Sequence, residues 1–161
     1  MAEVLDNASR SVGVALQQSP AIQADVRQAL ARSYLALGRY DDAQTHAVES
    51  HQLLARGRAA DDPAVLAARR LLVDVAVARG TAAGMKDEAR AVLEALRLTR
   101  GPAHSDTLAA TATSARVLDQ RDELAEAETL LADADALAAA AIDLSPDARI
   151  AVRAAYVDVL I

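Results

Sequence analysis

A chain of 161 residues with 53% hydrophobic side chains suits one domain with ample core material, but it has no Phe, Trp or Cys and its only aromatics are Tyr34, Tyr40 and Tyr156. The core must therefore come from Ala, Leu and Val, with disulfide and thiolate chemistry excluded, and the wealth of Ala and Leu points to an all-helical fold. A net charge of −6 and a pI near 5.0 argue against nucleic acid as a partner, and no run reaches the roughly 18 apolar residues of a membrane span.

Residues 2–17 read as a first helix with a stripe of Val4, Leu5, Ala8, Val12 and Leu16. Glu3 and Asp6 stand where a signal peptide would be basic, so a cytoplasmic location is expected. The next helix runs through "RQALARSYLALG" to a stop at Gly38, and another opens at "YDDAQTHAVESHQLLARG". Acidic Asp41 and Asp42 fill its first turn, Ala43, Ala47, Ser50 and Leu54 form its inner stripe, and Gly57 ends it. In "DDPAVL", Asp62 is the expected N-cap and Pro63 suits the first turn. This fourth helix ends near Gly80 or Gly84. The four residues "TAAG" (81–84) look inserted, about one helical turn's worth. Residues 81–83 are expected to be exposed or to lengthen the helix, with Ala89 and Leu93 buried in the helix that follows. Ser105 and Ser145 are the expected N-caps of the next two first helices, and Asp122 the end of one of them.

The last helix, "PDARIAVRAAYVDVLI", carries two apolar stripes. Ile150, Ala154, Val157 and Ile161 are expected to face the preceding helices, leaving Val152, Tyr156, Val159 and Leu160 as a second face. That face is expected to be covered by further chain or by self-association through this helix.

One internal period organises these elements. Gly38, Gly80 and Asp122 lie 42 residues apart, as do Leu66, Leu108 and Ile150, so one register places both the helix ends and the first buried turns. It divides the chain into a preceding second-helix element (1–19), repeats at 20–58, 59–100 and 101–142, and a partial repeat at 143–161. The expected architecture is a right-handed α-solenoid of antiparallel helix pairs, about eight helices in one array.

Within the first repeat, "RQALARSYLALGRYDDAQTHA" resembles the tetratricopeptide pattern, with Leu30, Ala31, Tyr34, Gly38, Tyr40 and Ala43 in signature places and Arg27 and Ala47 departing from its large-aromatic ones. The period of 42 and "GPAHSDTLAATATSARVLDQRDELAEAETL" are similar to the kinesin-light-chain type of that repeat, whose units open with Gly-Pro, His and Asp-Thr-Leu. The resemblance implies a non-enzymatic, cofactor-free scaffold that binds a protein or peptide. It also implies kinship in arrangement with such regions of bacterial Ser/Thr kinases and multidomain signalling proteins. His104 takes the place of the repeat's packing and capping histidine. In arrays of this kind first helices line the concave side, which gives Asp25, Gln28 and Arg32, then Arg70 and Asp74, then Arg116, Asp119 and Gln120 as the candidate groove. Three arginines suit an extended or acidic peptide, while internal pairs such as Arg70 with Asp74 at i, i+4 are the simpler use of the same residues. A structural or autoregulatory spacer is the alternative function.

Enzyme readings find little footing. "GTAAGMKDE" lacks the glycine spacing, the Gly-Lys pair and the Ser or Thr of a phosphate-binding loop. His46 and His51 lie about 140° apart around a helix, off any shared metal-binding face, and read as exposed or half-buried structural residues. The pairs Asp41/Asp42, Asp61/Asp62 and Asp133/Asp135 read as helix starts or solvated faces.

Overall fold

Residues of high helix propensity dominate every segment, and the chain answers with helix throughout. The computed structural model describes residues 2–140 and 146–160, among which there is no strand, and the protein is all-α. The helices are α1 (Ala2–Ala15), α2 (Pro20–Ala36), α3 (Tyr40–Ala55), α4 (Pro63–Ala78), α5 (Lys86–Arg100), α6 (Ser105–Asp119), α7 (Leu124–Ala140) and α8 (Pro146–Leu160). They form two compact units, Met1–Ala78 with α1 to α4 and Arg79–Ile161 with α5 to α8.

In the first unit the seam between α2 and α3 is made of side chains too small to hold helices apart. Ala24, Ala31, Ala43 and Ala47 are all fully buried. The Ser50 hydroxyl of α3 donates to the backbone carbonyl of Ala24 in α2 at 2.9 Å, a bond that needs the two helices nearly in backbone contact. The start of α2 meets the end of α3, since Ala24 clusters with Leu54 while Leu30 and Tyr34 cluster with Ala43, so the pair is antiparallel. Val65, Leu71 and Val75 of α4 join these clusters in the order of α2, placing α4 antiparallel to α3 and parallel to α2. The expected inner stripe of α3 is buried throughout. Leu5, Ala8 and Val12 of α1, and Leu16 just after it, pack against α2, whereas Val4 is exposed and leaves the stripe.

The second unit repeats the arrangement around α6. The α5–α6 pair is antiparallel, with Thr107 Oγ1 donating to the Leu96 carbonyl at 3.3 Å and Ser114 Oγ to the Ala89 carbonyl at 3.4 Å. Leu108 clusters with Ala134, Ala138 and Val152, and Ala112, Ala115 and Leu118 with Ala127, Leu131 and Ala155. Hence α7 runs against α6 and α8 runs parallel to it.

Three expectations are corrected here. The inserted segment neither lengthens α4 nor lies wholly in solvent, because residues 82–85 form a 3-10 turn in which Ala82 is fully buried. Its N–H donates to Gln120 Oε1 at 3.0 Å, and Arg121 Nη1 donates to the Ala83 carbonyl at 2.6 Å. Ala89 and Leu93 are buried as expected. On α8 the two stripes are exchanged: Val152 and Ala155 are buried and Tyr156 packs beside them, while Ile150 is 63% and Val157 54% exposed, with Ala154 exposed too. The 42-residue register explains the exchange. Leu108, the counterpart of Ile150, is sealed partly by the helix that follows it, α7, so its row belongs to the side of the following helix. The side chains of Val159, Leu160 and Ile161 lie outside the described residues. Capping differs as well: Asp62 accepts from the Ala64 N–H at 2.8 Å as a cap should, but α6 is capped by His104, whose Nδ1 accepts from the Asp106 N–H at 3.1 Å, and Ser105 is the first helical residue. Ser145 lies outside the described residues.

The helix ends carry the period into the backbone. Gly38, Gly80 and Asp122 have φ of 72°, 70° and 58°, the left-handed conformation that reverses the chain after a helix. After α2, the Gly38 N–H donates to the Leu35 carbonyl and the Arg39 N–H to Tyr34. After α6, the Asp122 N–H donates to Asp119 and the Glu123 N–H to Leu118, the same two bonds 84 residues later. Asp122 is the only non-glycine of the described residues at positive φ, where a side chain costs about 1 kcal/mol. Asp122→Gly should therefore raise the urea midpoint, by up to about 1 kcal/mol in stability, and Gly38→Asp should lower it by a similar amount. Equal midpoints for all three proteins would mean that the turn conformation carries no such strain.

Candidate functional site

The candidate groove residues fall on the helices expected of them, and the structure pairs several internally. In the first unit Asp25 and Arg32 are exposed on α2, while Gln28 is largely buried and its Oε1 accepts from Arg32 Nη2 at 3.1 Å. On α4, Arg70 Nη1 donates to Asp74 Oδ2 at 3.0 Å with both side chains only about a fifth exposed. Gln28 and Arg70 are 42 residues apart, as are Arg32 and Asp74, so equivalent rungs of two parallel helices each carry an i, i+4 pair. In the second unit Arg116, Asp119 and Gln120 are half-buried near the end of α6. The Oε1 of Gln120 is the acceptor that fixes the Ala82 turn, a structural role that its sequence position did not disclose.

The most organised polar cluster lies elsewhere, where α1, α2 and α3 meet. Asp6 of α1 accepts from the Tyr34 hydroxyl at 2.8 Å and from Arg39 Nη1 at 2.7 Å. Arg39 also binds Asp42 at 2.8 Å and lies 4.7 Å from the centre of the Tyr34 ring. These donors hold the Asp6 carboxyl below the usual carboxylate range, the Tyr34 bond most of all, while burial and the Asp6 bond raise the Tyr34 hydroxyl above its own.

Beside Tyr34 stacks His46, with ring centres 5.6 Å apart and planes 4° from parallel. The sequence places this histidine at least half in solvent; it is only 4% exposed, with Ser9 of α1 and Arg27 and Tyr34 of α2 against it. Its Nε2 meets Ser9 Oγ at 2.8 Å and its Nδ1 meets Arg27 Nη1 at 3.2 Å, and Arg27 in turn pairs with Glu49. Burial first and Arg27 second push the His46 imidazole below its ordinary range. Ser9 and Arg27 lie 37 and 19 positions from His46, so only the fold assembles them; the one hint in the sequence is Arg27 in the place of an expected large aromatic residue.

Cavities open on the surface of each unit. One of about 140 Å³ in the first unit is lined by Gln23, Arg27, Glu49, Gln52, Leu53 and Arg56. In the second unit, one of about 130 Å³ among α5, α6 and α7 has an apolar floor of Leu93, Val117, Leu118 and Leu130. Its cationic rim is already paired: Lys86 binds Glu123, and also Glu126 at 2.9 Å, and Arg90 meets Glu126 at 3.2 Å. Small-molecule sites usually span roughly 300 to 1,000 Å³. Among the described residues no group of three His, Asp or Glu could hold a metal ion, and no helix is long and apolar enough to cross a membrane.

No protein-family model matches the sequence, and no curated protein matches it.

The Gln120 bond yields a direct check on structural against surface roles. Gln120→Ala strands the buried Ala82 N–H, and the expected loss of stability is roughly 1 kcal/mol in urea unfolding. A variant as stable as the parent would return Gln120 to the surface residues open to a ligand.

Proposed function

We propose that the protein is a tetratricopeptide-like scaffold that binds a peptide or a partner domain, without catalytic chemistry of its own, in the cytoplasm. The observation that carries this reading is the recurrence of one helix-end turn at intervals of 42 residues, with first helices parallel to their successors inside each unit. Repetition of that kind sets equivalent side chains in rows, the geometry on which repeat proteins receive extended ligands. Within the first unit Arg32 and Arg70 then offer guanidinium forks to peptide carbonyls and carboxylates from α2 and α4, and within the second unit Arg116 carries the same chemistry on α6.

A second reading is favoured by the pairs already formed. Arg70 with Asp74 and Arg32 with Gln28 satisfy part of the donor capacity internally, as they would in a structural or autoregulatory spacer of a larger signalling protein such as a Ser/Thr kinase. Selection of a random peptide display library separates the two. The scaffold reading expects enriched peptides rich in Asp and Glu, whose affinity falls tenfold or more when Arg32, Arg70 and Arg116 are jointly changed to Gln. Failure to enrich any peptide, or undiminished affinity in the triple variant, would favour the spacer.

A further inference from the structure

We propose that α1 is a pH-controlled latch on the first unit, closed at neutral pH and released on mild acidification through His46. The grip of α1 is narrow. Of its described residues only Val12 is fully buried, Leu5 and Ala8 are half-buried, and Val4 and Val14 project into solvent. Much of its attachment therefore passes through polar groups, with Asp6 on Tyr34 and Arg39, and Ser9 on His46.

The tautomer of His46 follows from its neighbours. A guanidinium has only donors, so Nδ1, facing Arg27, must be the bare acceptor, and Nε2 carries the hydrogen that it gives to Ser9 Oγ. Protonation would place an N–H at Nδ1 against the Arg27 N–H. The bond would be lost and two cations would face each other at the present 3.2 Å in a buried site. The Arg27 side chain is only 11% exposed, and its Nη2 lies under α1 at Gly13, at the 3.4 Å of ordinary contact from where a Cβ there would sit. Displaced, it presses on α1 or swings into the cavity lined by Gln23, Gln52 and Arg56, and either movement removes the seat beneath the helix.

The other groups around the ring do not reverse this. From α1 come Ser9 and, at the Tyr34 hydroxyl, Asp6; from α2 come Arg27 and Tyr34. Glu49 and Asp42 of α3 favour the imidazolium, but Glu49 is already paired with Arg27 and Asp42 with Arg39. The side that α4 turns to α3 is apolar: Val65, Ala68, Leu71 and Val75. Tyr34 could receive a cation on its ring, yet Arg39 already lies over it. Burial and Arg27 thus outweigh the carboxylates, and the closed state prefers neutral His46. With α1 detached, the share of the burial that α1 supplies is lost and the imidazole moves back toward its ordinary range near 6.5. The sign follows: the contribution of His46 to closure is complete above that value and declines as the pH falls below it.

Hydrogen exchange read by mass spectrometry, corrected for the intrinsic pH dependence of amide exchange, tests the latch in the whole chain. Between about pH 7.5 and about pH 5.5, peptides from α1 should lose protection severalfold, with about tenfold as the ceiling for one proton, while those from α6 keep theirs, and His46→Gln should abolish the difference. Unchanged protection of α1 in the parent, a loss shared equally by α1, α2 and α3, or a loss undiminished in His46→Gln would overturn the proposal. Should His46→Gln free α1 at both pH values, the parent's imidazole titration by NMR decides. A His46 midpoint coincident with α1 opening supports the latch, and midpoints more than about one pH unit apart refute it.

Discussion

The structure depends on how closely its helices can approach. The bond from Ser50 Oγ to the Ala24 carbonyl joins a side chain of one helix to the main chain of another, and it forms only because Ala31, Ala43 and Ala47 leave nothing between them. The second unit uses the same device, with Ser114 Oγ reaching the Ala89 carbonyl of the facing helix. Without Phe or Trp to fill space, stability has to come from many short dispersion contacts between close backbones. A core of that kind tolerates little growth. It also explains why the left-handed turns recur at fixed intervals: helices of nearly equal length packed at one spacing need the chain to reverse at equivalent points.

One region departs from the small-residue rule. Tyr34, His46, Arg39 and Arg27 bring four large side chains together beneath α1, where alanine seams would otherwise be expected. Most of their polar atoms are matched to Asp6, Ser9 and Glu49, the buried Arg27 Nε being an exception, so α1 is held by directional bonds to groups that titrate, and less by apolar area. Such an attachment is sensitive to proton activity in a way that the alanine contacts of the α2–α3 seam are not. A helix held in this fashion belongs to the low-stability end of a fold, the end from which moving parts are drawn.

The sequence disclosed what is periodic and concealed what is relational. Gly38, Gly80 and Asp122 marked the helix ends because a helix stop needs a particular backbone conformation, and composition near it follows. The stripe of α3 was legible because Ala43, Ala47, Ser50 and Leu54 recur at helical spacing. The faces of α8 were assigned the wrong way round, since Ile150 and Val152 both begin acceptable apolar stripes and hydrophobicity alone does not say which neighbour each meets. Ala82 meets neither expectation, exposure or a longer helix, because its place depends on Gln120, 38 residues away. The candidate groove was drawn from the register, and the register located its rungs; the pairing of Gln28 with Arg32 needed coordinates, whereas that of Arg70 with Asp74 could be read from i, i+4 spacing. The burial of His46 is not legible because its ring meets Ser9 of α1, outside its own repeat, as well as Arg27 and Tyr34 of α2.

Urea unfolding of Ala47→Leu beside Ala29→Leu tests the dependence on close approach most directly, since both changes add the same side chain to a helix, one at a buried seam and one at an exposed position. Ala47→Leu should lose about 1 to 3 kcal/mol, the usual range for overpacking, while Ala29→Leu stays close to the parent. Equal stability of the two variants would contradict the account, because it would show that the helices have room between them.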